Sequence, residues 1–258
     1  MARFRQYIIP SITISGIAED SYAVGRTPDG QVVFVADAVP GDNVDALVFR
    51  KKKGYLEGSL QHLNQASPER VEARCTYFGI CGGCKWQHFS YEGQLREKEN
   101  KVKQNIVRIG KVQAKEILPI LPCAETFFYR NKLEFTFSNK RWLTREEMSL
   151  QETPLKEPGL GFHRPGAFDQ VVDIDQCFLQ AEPSNAIRNF IRRFALEQGW
   201  TFYNVRQQEG WLRNLIVRTS SMGEVMVILS VHTSDTEKIN TLFTAMQSRY
   251  SEISTLFL

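Results

Sequence analysis

The chain has 258 residues, 42% of them hydrophobic and 24% charged, with 32 Lys and Arg against 29 Asp and Glu for a net charge of +3. That length is enough for two domains at about 150 residues each, and the composition is ordinary for a soluble globular protein. No apolar run approaches the roughly 20 residues that span a bilayer, and MARFRQYIIPS lacks the apolar core and cleavage site of a secretory signal, so a cytoplasmic protein is expected.

Residues 6–66 read as an all-β domain. YIIPSITISGIA alternates apolar and polar positions, as a half-buried strand does. SYAVGRTPDGQVVFVADAV holds two short strands around Pro28-Asp29-Gly30, a triplet suited to a tight turn. DNVDALVFRKKKGYLEGSLQHL adds two more, joined through Gly54. Five short strands in so few residues point to a small OB-like barrel. Arg50, Lys51, Lys52 and Lys53 crowd one strand end, where consecutive cations attract a polyanion.

After the polar connector NQASPER comes a cysteine-rich linker, residues 67–90, and then a third region, 91–258, of α/β (α+β) character. A helix is expected from Tyr91, with Leu95, Val102, Ile106 and Ile109 on one face and Gly110 as its stop. FYRNKLEFTFS alternates as a strand, placing Arg130 and Lys132 on one face. PGLGFHRPGAFDQVVDI gives two strands around Arg164-Pro165-Gly166, and Gly159-Leu160-Gly161 lacks the third glycine of a nucleotide-binding loop. Pro183 opens a helix striped by Ile187, Phe190, Ile191 and Phe194 and ended by Gly199. LRNLIVRTS and EVMVILSVH form a strand pair. Ser234 and Glu237 fit a capping box ahead of a helix striped by Ile239, Leu242, Phe243 and Met246. ISTLFL reads as a strand just beginning, which suggests a fragment of a longer protein.

Three of the five cysteines, Cys75, Cys81 and Cys84, stand within ten residues in C-x5-C-G-G-C. In a reducing compartment such clustering points to metal binding. Gly82 and Gly83 let the backbone curl so that the sulfurs face one centre. Three thiolates leave a fourth position open. His88 would complete a local zinc site; Cys177, in VDIDQCFL, would complete a four-cysteine site for zinc or [4Fe–4S]. Cys123 reads as a buried structural thiol.

The run C-x5-CGGCKWQH with Y-x3-L-x2-K behind it, then FYRNKLEF, LGFH, VVDIDQCFL and LRNLIVR…GEVMVIL in order, resembles the RNA uracil-5-methyltransferases that make 5-methyluridine, in the 23S rRNA branch that carries an iron–sulfur cluster. The resemblance covers nearly all of the chain. It implies that the barrel is a TRAM domain, that Cys75, Cys81, Cys84 and Cys177 hold a [4Fe–4S] cluster, and that His88 is structural. It places Arg130 and Lys132 on an RNA-facing surface. Lys85 and Trp86, beside the cysteines, offer a charge and a stacking plane, Trp86 being equally suited to packing around a metal. It also implies that the S-adenosylmethionine pocket, the nucleophilic cysteine and the general base lie beyond Leu258, so no catalytic residue is assigned here. The expected partner is structured RNA, ribosomal by resemblance. The competing reading is a non-enzymatic, zinc-stabilised OB-fold module for nucleic acid. A radical S-adenosylmethionine enzyme is disfavoured, because its C-x3-C-x2-C spacing is absent.

Overall fold

A computed structural model describes residues 4–18, 22–149 and 157–258. Residues 1–3, at the head of the stretch read for a signal, and Ser21, at the head of the second strand stretch, lie outside the described residues. Among those described, no helix is long and apolar enough to cross a membrane.

The strands β1 (Tyr7–Ile17), β2 (Ala23–Arg26), β3 (Val32–Ala36), β4 (Asn43–Lys52) and β5 (Tyr55–Gln65) close into a barrel in the order β1-β2-β3-β5-β4. β3 and β5 run parallel; the other neighbours are antiparallel. Alternation explains the closure: Val44, Ala46 and Val48 of β4 point inward with Ile12, Ile14, Val33, Val35 and Leu56, while the residues between them face out. The Pro28-Asp29-Gly30 turn forms as read, with the Gly30 N–H donating to Thr27 O at 2.8 Å and Gly30 at φ 84°. Closure of the sheet removes its open edges.

A buried clasp seals the barrel's exit. Asp42 accepts from the Val39 and Ser67 N–H groups at 2.8 and 2.9 Å and from the Arg70 fork at 2.6–3.2 Å. Burial pushes the Asp42 carboxyl up, but Arg70 and the two backbone donors outweigh it and hold the group below its ordinary value.

Helix α1 (Tyr91–Gln104) starts at Ser90, whose hydroxyl accepts from the Gly93 N–H, and runs into a π-helical turn, Asn105–Ile109. Its expected apolar stripe is not buried: Val102 is 53% and Ile109 75% exposed, and Gly93 is the buried residue of the helix. Gly110 stays right-handed, and the reversal falls on Lys111 at φ 52°. Cys123 is exposed rather than buried, in an irregular segment where Leu118 and Leu121 are exposed too.

The remaining strands, β6 (Lys132–Ser138), β7 (Gly159–His163), β8 (Val171–Asp173), β9 (Leu212–Thr219), β10 (Val225–Val231) and β11 (Ile253–Phe257), form a six-stranded sheet in the order β11-β10-β9-β6-β7-β8. β11 is parallel to β10 and all other pairs are antiparallel. A short helix, α2 (Arg145–Ser149), lies between β6 and β7. Helices α3 (Ser184–Glu197) and α4 (Thr236–Arg249) contribute Ile187, Ile191, Ile239, Leu242 and Met246 to the core that Leu133, Phe135, Phe137, Leu215 and Val217 form on one face of the sheet. The α/β expectation thus holds as a mixed sheet with helices on one face. The α4 cap sits one residue later than read: Asp235, not Ser234, accepts from the Lys238 N–H at 3.2 Å. Gly159-Leu160-Gly161 is strand, and a Cβ on Gly161 would lie 2.0 Å from Val172 O, so glycine there serves strand packing.

The chain divides into two compact units otherwise than in linear order. The first comprises Met1–Arg74 and Lys85–Ala124; the second comprises Cys75–Cys84 and Glu125–Leu258. The cysteine knot therefore belongs with the sheet unit rather than to a separate linker, and α1 belongs with the barrel.

Candidate thiol centre and nucleic-acid surfaces

Cys75, Cys81 and Cys84 lie in the second unit together with Cys177. The knot is anchored at three points within that unit. The Gly82 N–H donates to His163 O at 3.0 Å, at the end of β7. The Tyr77 hydroxyl accepts from the Asp175 N–H at 3.2 Å and donates to its carboxylate at 3.4 Å. Cys81 and Cys84 pack against the core cluster that contains Cys177.

The two central glycines do different work from that expected. Neither has positive φ; the left-handed residue is Gly79, at 88°. A Cβ on Gly82 would stand 2.5 Å from His163 O, whereas one on Gly83 would meet Cys81 Sγ and the Phe162 ring at 3.5 Å or more. Gly82 is thus required by close backbone approach. Gly83 turns its N–H onto Cys81 Sγ at 3.4 Å.

Burial dominates the ionisation of Cys75, Cys81 and Cys177. Burial pushes Cys81 up to about 11, and Cys84, Cys75 and Cys177 add to the rise. Burial likewise raises Cys177, with Cys84 and Cys75 contributing, and raises Cys75, with Cys84 contributing. Among the described residues no disulfide forms. Nor are any three His, Cys, Asp or Glu side chains among them arranged to hold a single metal ion, which would need its sulfurs about 2.3 Å from one point.

His88 is in the other unit and answers to different neighbours. Burial lowers its pKa, the Arg70 cation adds to that, and Asp37 and Asp42 oppose. These are barrel-side groups, so the local three-cysteine, one-histidine site is not assembled within either unit.

Helix α3 holds the Cys177 loop with one polar stripe, at i, i+3, i+4 and i+7. Asn185 Oδ1 accepts the Cys177 N–H at 2.8 Å and Asn185 Nδ2 donates to Cys177 O at 3.1 Å. Arg188 donates to Asn185 Oδ1 at 2.9 Å. Asn189 donates to Asp175 O at 2.8 Å, and Arg192 binds Asp173 and Asp175 at 2.6 and 2.5 Å. Sequence reading followed the apolar stripe of this helix and missed the polar one, which the spacing of Asn185, Arg188, Asn189 and Arg192 would have revealed.

The cationic candidates are divided between the two units. In the barrel unit Lys51, Lys52 and Lys53 are exposed at the β4–β5 hairpin, and Arg50 pairs with Glu57 at 3.1 Å. At the root of this hairpin, on the outside of the barrel, the Phe34 and Tyr55 rings lie 5.0 Å apart. They were not singled out in the sequence, although their outward register beside inward Val33, Val35 and Leu56 marks them. Lys85 is exposed in the same unit. Trp86 packs edge-on to Phe89 at 6.2 Å with Lys98 Nζ 6.0 Å from its ring. In the sheet unit Arg130 and Lys132 are both exposed, but β6 begins only at Lys132, so they are not strand neighbours on one face. Arg130 instead docks its N–H on Leu179 O at 2.8 Å. Lys132 stands opposite Arg218 across β6 and β9. Like charges in register repel, and an anion laid across them relieves that repulsion.

Residues 11–60 match the family model for the TRAM domain. The chain is 49% identical over 213 residues to a Bacteroides thetaiotaomicron protein named an uncharacterized RNA methyltransferase, a match covering 83% of this chain and 47% of that protein. A Porphyromonas gingivalis protein of the same description is 43% identical over 248 residues, covering 94% of this chain and 53% of its own length. The chain thus spans about half the length of the curated relatives it matches. The fold is similar to that of the Pyrococcus abyssi tRNA (uracil-54, C5)-methyltransferase crystallised with S-adenosyl-L-homocysteine, with a TM-score of 0.60 and 23% identity over 91% of this chain and 49% of that one.

Proposed function

We propose that this chain is the RNA-holding, cluster-bearing portion of an S-adenosylmethionine-dependent RNA uracil-C5 methyltransferase that makes 5-methyluridine in ribosomal RNA. The observation that carries the proposal is the grouping of Cys75, Cys81, Cys84 and Cys177 in one unit, with Cys81 and Cys84 packed against the core cluster that contains Cys177, in a chain whose relatives are named RNA methyltransferases. A [4Fe–4S] centre takes four thiolates, one for each iron. Bound there, a [4Fe–4S] group would tie the knot to the Cys177 loop. Gly82, Tyr77 and Asn185 hold the backbone of both segments for it.

RNA readers combine phosphate contacts with base stacking on aromatic rings. The barrel offers both, in Lys51–Lys53 and the Phe34–Tyr55 pair; the sheet unit offers Arg130, Lys132 and Arg218. In this reading the part of the relatives that the chain does not span carries methyl transfer. Uracil C5 becomes nucleophilic only after a thiolate adds to C6; the resulting enolate takes the methyl group from S-adenosylmethionine, and a base then removes the C5 proton as the thiolate leaves C6. The target uridine has to leave its stack for that addition.

Two measurements test the reading. Anaerobically purified chain should contain iron and acid-labile sulfide; zinc with neither would favour the zinc-stabilised nucleic-acid module instead. The chain should bind structured rRNA segments with a steep salt dependence, and replacing Lys51, Lys52 and Lys53 with Gln should reduce the slope of log affinity against log salt by about three, one per lost phosphate contact. Salt-independent binding, or an unchanged slope, removes the barrel hairpin from the RNA surface.

A further inference from the structure

Two neighbouring rows of side chains cross the outside of the barrel. In the first, Arg26 stands opposite Val32, Val32 opposite Tyr55 and Tyr55 opposite Lys52, so the row runs from β2 through β3 and β5 to β4. In the second, Phe34 stands opposite Glu57 and Glu57 opposite Arg50. Residues directly opposite share a face of the sheet, and alternation along each strand sets which face. Val33, Val35 and Leu56 are buried inside the barrel, which turns Phe34, Tyr55 and Glu57 outward, each half-buried. An aromatic pair is thereby held between cations: exposed Arg26 on one side, exposed Arg50 and Lys52 on the other. One Arg26 nitrogen, Nη1, donates to Gly30 O at 3.0 Å, which ties the side chain to the turn beside the rings.

Single-stranded nucleic acid is gripped by this combination, a ring face for a base and cations for the phosphates on either side of it. A duplex keeps its base faces stacked on one another, so the rings favour an unpaired base. They lie 5.0 Å apart and tilted by 58°, a corner rather than a flat platform, which suits one base and not a run of them. Phosphate binding alone does not account for Glu57, because a carboxylate within a cationic rim works against a polyanion. Arg50 Nη1 donates to Glu57 Oε2 at 3.1 Å, and the Glu57 side chain stays 20% accessible. A carboxylate accepts on both oxygens and never donates, so it suits the exocyclic amine of a base, as in the pairing of Glu with cytosine N4. Uracil, with two carbonyls and a single N–H on that edge, meets it least well. We propose that this face is a subsite for one unpaired, amino-bearing nucleotide, with its base on the Phe34–Tyr55 corner, its flanking phosphates on Arg26 and Lys52, and Glu57 as the specificity-determining residue. The inference rests on the RNA-holding reading given above and adds to it which nucleotide the barrel selects. That nucleotide is distinct from the target uridine, which lacks the amine.

The test uses the full 258-residue chain and fluorescein-labelled oligocytidine and oligouridine of equal length, with binding read by anisotropy over a range of salt. Two pyrimidines of the same ring size keep the stacking comparable, so the difference between them reports on the amine. Wild type should prefer oligocytidine several-fold. Glu57→Gln, whose amide both donates and accepts, should bring the two affinities together. Phe34→Leu and Tyr55→Leu should each weaken oligocytidine by roughly tenfold without changing the slope of log affinity against log salt, because stacking releases no counterions. Lys52→Gln should flatten that slope instead. The Gln variant at Glu57 keeps the shape of the side chain and so reports even where a ring variant does not fold. Equal affinity of wild type for the two oligomers, an unchanged preference in Glu57→Gln, or folded ring variants that bind as wild type does each overturn the proposal. Salt-dependent RNA binding that persists without preference defeats this inference alone. A wild type that binds neither oligomer nor structured RNA, even at low salt, defeats the RNA-holding reading as well.

Discussion

Replacing Gly82 and Gly83 by alanine, one at a time, separates close approach from simple flexibility in the knot. At Gly82 the new Cβ would lie 2.5 Å from His163 O, the oxygen that accepts the Gly82 N–H at 3.0 Å. The carbonyl must move, which weakens that hydrogen bond by about 1 kcal/mol and adds strain of roughly 1–3 kcal/mol. The expected cost is about 2–4 kcal/mol. At Gly83 the nearest atoms, Cys81 Sγ and Phe162 Cδ2, stand at 3.5 and 3.6 Å, an ordinary contact. Alanine there should be neutral, or stabilising by about 0.4–1 kcal/mol through the unfolded chain. Urea unfolding of the metal-free proteins gives the stability difference, and iron uptake of the reconstituted proteins reports on the site. Gly82→Ala should fail on both measures and Gly83→Ala on neither. Equal stability of the two variants, or the reverse order, would refute the idea that the knot is seated by backbone contact with β7.

Asp42→Ala should destabilise the barrel unit by about 3–5 kcal/mol, since it strands the Arg70 guanidinium and two buried N–H groups; denaturant titration followed by a barrel-specific probe checks this. The wild-type Asp42 is held below its ordinary value of 3.8, so its contribution is present above that pH and lost as pH falls through the depressed value. The acid limb of the stability profile should therefore be shallower in Asp42→Asn. In the metal-free chain at neutral pH, iodoacetamide should modify exposed Cys123 well before buried Cys177 or half-buried Cys81, whose thiol is pushed up to about 11; mass mapping that finds Cys81 labelled as fast would contradict the described packing.

Some of this protein was legible from residue order alone, and the reason is range. Strand alternation in β4, the Pro28-Asp29-Gly30 turn and the knot spacing are written within a few neighbours, because φ preference and two-residue periodicity act locally. The stripe of α3 was equally plain, since Ile187 and Ile191 repeat at helical spacing. Local signals misled where the chain had a second option. The stripe of α1 pointed to a buried face, yet Val102 and Ile109 are exposed, and Cys123 looked like a core thiol beside apolar neighbours that remain exposed.

Tertiary structure alone decided the rest. Spacing left His88 and Cys177 both open for the fourth thiol-site position; the fold groups Cys177 in the unit that holds Cys75, Cys81 and Cys84, and His88 in the other. Nothing in the order of residues tells Gly82 from Gly83, because the difference is the position of His163 O, about eighty residues away. Arg188 lies on the helix whose apolar stripe was plain, and only the folded chain buries it and leaves its Nε without a hydrogen-bond partner. Sequence determined which segments could form, since that is a matter of neighbours; which groups share a low-dielectric interior is a matter of distant contacts, and only the folded chain makes them.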